Sequence, residues 1–201
     1  AYWGQCDSIY TTFLVLTLMF LYDENYWPAF IMLGLGFAVK LQMIFIVPFI
    51  ICYYFYKKNF SIFWFFISLF TFWSTGLIAF LNGRDLMAPF SIYMEQTNLY
   101  NHMYLNISSF WILLGDHYYE LHQFAILFTI VLCGIFLYLI LASRIKIDTG
   151  EKYLVLACGL IWTCLLFLPG MHERYTYPLD VLLIILSFAN RKYVKYAAVS
   201  I

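Results

Sequence analysis

Long apolar runs separated by polar stretches most limit what this chain can fold into. The runs cover residues 8–22, 26–39, 43–56, 61–80, 123–143, 153–170 and 178–190. Hydrophobic residues make up 64% of the chain and charged residues 11%, whereas about a quarter of an average soluble domain is charged. Several runs approach the ~20 residues that cross a bilayer as a helix. The sequence therefore predicts an all-α, polytopic transmembrane helical bundle in membrane lipid, with about seven spans.

The stretch 81–122 is the longest interruption between these runs, and it is too long for a simple connection. Its many aromatic side chains favour docking on the membrane surface over disorder. We interpret it as an external loop with short interfacial helices, within a single transmembrane domain that spans residues 1–201. The chain opens on AYWGQCD without an initiator Met, so we expect it to be the middle to C-terminal part of a longer protein.

The two short runs around Lys40 and Gln42 are compatible with two spans that meet at a break or with one kinked helix. The positive-inside rule favours the break. With a break at Lys40, eight of the eleven Lys and Arg residues fall on one side, and only Lys40, Arg84 and Arg174 fall on the other. The inner eight are Lys57, Lys58, Arg144, Lys146, Lys152, Arg191, Lys192 and Lys195.

Charge and cysteine content exclude several classes of function. The formal net charge is zero, so the chain has no strongly basic face for nucleic acid. The five cysteines form no CxxC pair, which indicates small buried hydrophobes rather than a disulfide framework or a metal cluster. His102, His117 and His122 lack a metal-ligand spacing and are interpreted as surface histidines. We predict no metal site and no certain cofactor.

Two polar groups near the start of the chain are candidate site residues. Trp3, Gln5 and Asp7 precede the first apolar helix, where a carboxylate is favoured by the helix dipole. Lys40 and Gln42 flank the proposed break, and a break in a span exposes backbone to a water-filled cavity. A capping acid with an interfacial Trp, and a snorkelling Lys, are the structural alternatives.

Two more candidate groups follow on the same outer side. Arg84 and Asn106 lie in the stretch 82–111, where an Arg can reach a phosphate with paired donors; a solvated loop charge is the alternative. The segment PGMHERYTYPLD packs His172, Glu173, Arg174 and Tyr175 into the short gap between two apolar runs. A polar turn between helices is the alternative here, but so many donors and acceptors favour recognition of a ligand.

The order of these segments resembles the integral-membrane GT-C glycosyltransferases. The segments are WGQCDSIYTTF, VKLQMIFIVP, GR…PF, LN…FW and PGMHERYTYPLDVL, and they cover the chain from Trp3 to about Leu182. The resemblance is to bacterial proteins related to the second mannosyltransferase of GPI-anchor assembly, and more distantly to dolichyl-phosphate-glucose-dependent glucosyltransferases. In the latter, HGHFQYN-, KQM- and HEK-type stretches take the places of WGQCDSIY, Lys40–Gln42 and His172–Arg174.

The resemblance implies a hexosyltransferase at the outer face of the bacterial plasma membrane. Such enzymes move one sugar, mannose or another hexose, from a polyprenyl-phosphate sugar to a glycan or glycolipid acceptor, with inversion. It implies catalytic roles for Asp7, His172 and Glu173. It implies substrate-binding roles for Trp3, Gln5, Lys40, Gln42, Arg84, Asn106, Arg174 and Tyr175. The usual catalytic Asp of this family lies in an earlier external loop that would precede Ala1.

Two other functions stay open at this point. A transporter or flippase of lipid-linked sugars is suggested by Lys40 at a possible helix break, because broken helices build transport sites. The gathering of polar candidates on one face argues against it, since transport needs a path to both faces. A piece that is inactive without its upstream part is the third possibility.

Overall fold

The computed structural model describes residues 6–97, 101–143 and 145–200. Within them the chain forms ten α-helices: α1 (Asp7–Tyr22), α2 (Tyr26–Val39), α3 (Val47–Lys57), α4 (Phe63–Ser74), α5 (Leu77–Leu81), α6 (Ala88–Thr97), α7 (Tyr118–Ala142), α8 (Gly150–Phe167), α9 (Tyr177–Ala189) and α10 (Val194–Ser200). Short 3₁₀ turns cover Leu41–Ile46, Phe110–Leu113, Glu173–Thr176 and Arg191–Tyr193. The two-residue strands β1 (Tyr104–Leu105) and β2 (Met171–His172) pair in parallel. The predicted all-α class is confirmed.

Helix length bears on the predicted number of spans. Two helices in the described residues, α7 and α8, are long and apolar enough to cross a membrane, whereas α1, α2, α4 and the segment Leu41–Lys57 are apolar but shorter. The run 61–80, predicted as one span, instead forms α4 and α5, because the chain turns at Thr75 and Gly76. The figure of about seven spans therefore stays a prediction.

The first of two compact units holds the described residues of Ala1–Ile44 and Asn59–Tyr100. In this unit α2 packs against α1 and α4. Leu14, Leu18 and Leu21 recur at helical spacing on the buried face of α1, as expected of a helix with one apolar stripe. A side chain at Gly34 would collide with the backbone oxygen of Ser68, so α2 and α4 approach closely because this position has no Cβ.

The second unit holds the described residues of Phe45–Lys58 and Asn101–Ile201. Here α8 packs against α3, α7 and α9. The ring of Tyr153 meets those of Phe49 and Tyr53 edge-on, with centroids 4.8 and 5.1 Å apart. Such perpendicular contacts suit the aromatic quadrupole, and they fix α3 on the first turns of α8.

The two ends of α8 in the second unit carry different chemistry. At its start the Glu151 carboxylate accepts hydrogen bonds from Lys192 Nζ (2.5 Å) and from the Tyr193 hydroxyl (2.8 Å), which follow α9. The bond to Glu151 raises the pKa of Lys192 above its ordinary value. At the other end α8 stops at Phe167, and Leu168–Thr176 connects it to α9. The candidate residues His172–Tyr175 lie in this second connection.

Candidate functional site

The predicted break at Lys40 is present in the first unit. Helix α2 ends at Val39, Lys40 adopts extended backbone angles (φ −159°, ψ 136°), and a 3₁₀ turn follows. A helix end leaves its last carbonyls without intrahelical partners. One of them, the Phe37 carbonyl, accepts a hydrogen bond from the Tyr93 hydroxyl of α6. The predicted loop stretch thus supplies a donor that supports the break.

Asp7 and Lys40 meet at this break. Lys40 Nζ lies 2.5 Å from Asp7 Oδ1, and the two side chains are 19% and 11% exposed. Asp7 is the first residue of α1, where the partial positive charge of the helix end favours a carboxylate. Lys40 Nζ also lies 5.4 Å from the centroid of the Tyr10 ring, within range of a cation–π contact. The first unit therefore holds a largely buried ion pair at a helix interruption.

The other predicted residues of the first unit are less closely grouped. Gln42 is half-buried in the 3₁₀ turn that follows the break, and Arg84 lies exposed in the turn between α5 and α6. Trp3 and Gln5 lie outside the described residues. Of the candidates in this unit, the structure therefore brings Asp7 and Lys40 into direct contact.

The HERY turn, which we define as His172–Tyr175, begins in strand β2 and continues as a 3₁₀ turn into α9. Gly170 precedes it with φ +71°, a left-handed conformation that glycine adopts readily. Pro178 sits in the first turn of α9, a favoured position because that turn needs no amide donor. Helix α8 ends at Phe167 with Leu168 extended, as a residue before proline prefers, and α9 begins at Tyr177, so the four polar side chains share one short connection.

The side chains of the HERY turn differ in exposure. Glu173 is exposed, whereas His172, Arg174 and Tyr175 are half-buried. The rings of His172 and Tyr175 lie 6.0 Å apart between centroids. His172 Nδ1 is buried and has no hydrogen-bond partner within the described residues. A buried polar atom without a partner is costly, so this nitrogen is available to a ligand. The catalytic role implied for Glu173 stays a prediction.

Residues 101–117 form a loop, which we call the docking loop, that pairs with the start of the HERY turn. Strand β1 pairs with β2 in the register Tyr104–Met171 and Leu105–His172. The Gly170 N–H donates to the Met103 carbonyl at 2.9 Å. Asn106 follows β1 directly, with φ +55°, in a left-handed conformation that Asn tolerates. The pairing therefore brings Asn106 and His172, both predicted site residues, to the same end of the second unit.

Trp111 anchors the docking loop to the end of α8. Its side chain is fully buried with Met103 and Ala125, and its Nε1–H donates to the Phe167 carbonyl at 2.8 Å. The Ser109 hydroxyl donates to the Leu166 carbonyl at 3.1 Å. Two carbonyls at the end of α8 are satisfied in this way, as a buried helix end requires. The loop is thus a packed part of the second unit.

Asp116 and His102 are connected in a way that sequence reasoning missed. Asp116 Oδ2 lies 2.5 Å from His102 Nδ1, and Asp116 Oδ1 accepts the Met103 N–H at 2.6 Å. Partial desolvation opposes the shift, but the bonds from His102 and from the Met103 N–H lower the pKa of Asp116 below its ordinary value. His102 is exposed, as predicted for a surface histidine, but its Nδ1 contacts the Asp116 carboxylate. Its sequence neighbours carry no signal of that pairing.

We expect the contribution of Asp116 to stability to disappear in acid. A carboxyl group with a lowered folded-state pKa stabilises fully above its unfolded pKa, and the stabilisation is lost as pH falls through the folded value. The excess melting temperature of wild type over Asp116→Asn in detergent should therefore shrink between about pH 5 and about pH 3. Glu120→Gln, a change at an exposed acid whose carboxylate lies 3.7 Å from His117 Nδ1, is the comparison variant. A flat difference for Asp116→Asn would contradict the assignment.

Candidate groups are thus assembled separately in each unit, Asp7 with Lys40 in the first and the HERY turn with the docking loop in the second. In the described part of the chain, no group of three or more His, Cys, Asp or Glu side chains is placed to hold a metal ion. The chain matches no protein-family model, no curated protein and no solved structure.

Proposed function

We propose that this protein is a membrane glycosyltransferase that uses a polyprenyl-phosphate sugar. It moves one hexose, such as mannose, to a lipid-linked or cell-surface glycan acceptor on the outer face of the bacterial plasma membrane. The observation that carries the proposal is the HERY turn, where a half-buried Arg and a buried, unpartnered His172 Nδ1 are held by the docking loop. The resemblance of the sequence segments to GT-C enzymes supplies the reaction class.

The membrane part of the proposal is supported by exposed apolar surface. Helix α7 is a 25-residue helix of which only 17% of the apolar window is buried. Leu127, Ile130 and Tyr138 on this helix are 63%, 61% and 69% exposed. Soluble monomers rarely expose contiguous apolar patches of this kind. Lipid contact removes the cost of leaving such side chains in water, about 25 cal/mol per Å².

Phosphate recognition is assigned to residues of the second unit alone. A guanidinium offers a planar fork of donors that matches two phosphate oxygens, which gives Arg174 its role. His172 Nδ1 can donate to a third oxygen when it carries the proton, and the nearby start of α9 favours negative charge. Leu166 and Phe167 line an open apolar groove of about 420 Å³ between the end of α8 and the docking loop.

The proposed reaction is a single displacement at the anomeric carbon. The acceptor oxygen forms the new bond to C1 while the bond from C1 to the phosphate oxygen breaks, and the electron pair leaves with the polyprenyl phosphate. A carboxylate takes the proton of the acceptor hydroxyl, the role that the sequence resemblance implies for Asp7. Cationic groups and hydrogen-bond donors stabilise the charge that develops on the phosphate.

The test is protection of the purified protein against thermal unfolding by a panel of polyprenyl-phosphate sugars, with polyprenyl phosphate alone as the reference. A ligand that binds the folded state raises the apparent stability, by about 2.7 kcal/mol at a hundred times its Kd. We expect one sugar donor to protect more than polyprenyl phosphate does. Absence of protection by every donor in well-folded protein would reject the proposal.

The proposed sidedness predicts a labelling pattern. Single cysteines in a cysteine-free background should react with an impermeant reagent from outside intact cells at Ser8 and Glu173, which are exposed. Cysteines at Lys58 and Lys192, also exposed, should react only after the cells are opened, because the basic side faces the cytoplasm. Labelling of position 173 only in opened cells would reverse the proposed orientation of the second unit.

A transporter of lipid-linked sugars is the second candidate, and the Asp7–Lys40 pair favours it. Charged pairs at interrupted helices line substrate paths in secondary transporters, and this pair sits at such an interruption. A transporter must open position 40 to both faces in turn. Cysteine at position 40 should then label from both sides, whereas an enzyme with an outward-facing site gives labelling from one side.

A further inference from the structure

Met103 is the point through which the docking loop and the HERY turn are joined. Its carbonyl accepts the Gly170 N–H at 2.9 Å, and its own N–H donates to Asp116 Oδ1 at 2.6 Å. Its side chain is fully buried beside Trp111. The next two residues, Tyr104 and Leu105, form the strand that pairs with Met171 and His172. Any shift of the Met103 backbone therefore moves the partner strand of the HERY turn.

Asp116 uses both carboxylate oxygens to hold this point. Oδ1 binds the Met103 N–H and Oδ2 binds His102 Nδ1, so two consecutive residues are fixed by one side chain. Both nitrogens lie close to the carboxylate, at 2.5 Å for His102 Nδ1 and 2.6 Å for the Met103 nitrogen, and an ionised acceptor strengthens such bonds. A carboxylate is suited to this because it accepts at both oxygens, whereas an amide accepts at only one.

We propose that Asp116 is a positioning residue that sets the phosphate-binding geometry of the HERY turn through Met103, with His102 orienting the Asp116 carboxylate. This inference rests on the proposed function, because that function assigns phosphate to the HERY turn. Asp116 touches no substrate in this account. It acts on the strand pairing that carries His172 and thereby on the placement of Arg174, two residues further along the chain.

The exposure of the His102–Asp116 contact distinguishes a positioning role of Asp116 from a contribution to the stability of the whole fold. The side chains of His102 and Asp116 are 56% and 35% exposed, so the pair adds only a small share of global stability, and the melting-temperature difference expected for Asp116→Asn is correspondingly small. Trp111, by contrast, is fully buried and holds the docking loop to α8. Loss of Asp116 should therefore leave the loop docked but let the Met103–Gly170 connection loosen.

The test couples Asp116→Ala to Arg174→Ala in binding of polyprenyl phosphate, with the exposed Glu120→Ala as matched control. In the wild-type background we expect Asp116→Ala to raise the Kd by about tenfold, within the range of coupling between residues that share a network. In the Arg174→Ala background the same change should raise Kd less than about twofold. Glu120→Ala should leave Kd unchanged in both backgrounds. Equal effects of Asp116→Ala in the two backgrounds would overturn the proposal.

A second measurement stands apart from any ligand. Hydrogen exchange of the Gly170 and Met171 amides should be faster in Asp116→Ala than in wild type and unchanged in Glu120→Ala. Asp116→Asn, which keeps one acceptor for the Met103 N–H, should lie between the two and serves if the alanine variant folds poorly. Unchanged exchange at Gly170 in both Asp116 variants would overturn the inference. If the wild-type protein binds no polyprenyl phosphate, the proposed function fails. Hydrogen exchange at Gly170 and Met171 then decides by itself whether Asp116 is a positioning residue.

Discussion

Arg174→Ala is expected to lower transfer from a polyprenyl-phosphate sugar by at least about 100-fold, because removing one donor to a developing anion costs about 100- to 1000-fold in kcat. Arg174 is half-buried in the HERY turn, which leads directly into α9. Burial raises the electrostatic value of such a donor relative to its value in water. The measurement is sugar transfer to a glycan acceptor together with thermal protection by the donor.

Matched variants make this result interpretable. Arg191, exposed in the turn after α9, gives Arg191→Ala as a control with the same chemical change at the opposite end of that helix, and it should retain turnover. Arg174→Lys keeps the charge and loses the planar fork, so intermediate activity is expected. Near-normal turnover of Arg174→Ala, with intact membrane insertion, would remove the phosphate role from this residue.

Lys40→Met is expected to have the largest effect on stability, about 3–5 kcal/mol, because it removes one partner of a largely buried ion pair. Asp7 Oδ1 then loses the cation 2.5 Å away, and the carboxylate stays inside the first unit. The double variant Asp7→Asn with Lys40→Met should recover part of this loss, since no charge is left behind. Denaturant or thermal unfolding of the detergent-purified protein measures all three variants.

Measurements of sugar transfer test the catalytic role proposed for Asp7. Asp7→Asn should reduce transfer far more than Asp23→Asn, a change at the exposed opposite end of α1. Asp116 is unsuitable as the comparison because its carboxylate accepts the Met103 N–H. Equal losses in Asp7→Asn and Asp23→Asn would leave Asp7 with a purely structural role in pairing Lys40.

Local features of the fold were readable from sequence. The break at Lys40 follows from polar residues between two apolar runs, and the structure confirms it. The start of α9 at the HERY turn is readable from Pro178, whose fixed backbone suits the first turn of a helix, whereas α8 ends earlier than Gly170 suggests, with Leu168 extended before Pro169. The sequence gives no sign that the run 61–80 divides into α4 and α5. Hydrophobicity is continuous along this run, and the turn at Gly76 is a matter of backbone conformation.

Long-range contacts of the site were not readable from sequence. Asp116 and His102 lie 14 positions apart, with no periodic pattern between them that would place one against the other. Trp111 looked like one aromatic among many in a surface stretch, yet it is fully buried against α8. Such pairings are set by how the docking loop closes on the helix end, a tertiary event that residue spacing does not encode.

The parallel pairing of β1 with β2 has a consequence for the order of folding. The Ser109 and Trp111 bonds to the end of α8 span 57 and 56 positions of chain, and the register of Tyr104 with Met171 spans a longer interval still. Closing a loop of this length carries an entropic cost that grows with its logarithm. We therefore expect the HERY turn to gain its partner strand after α7 and α8 have packed. The phosphate binding proposed for the HERY turn would then be acquired late in assembly, and a nascent chain that stops before α8 is complete has a docking loop with no helix end to pack against.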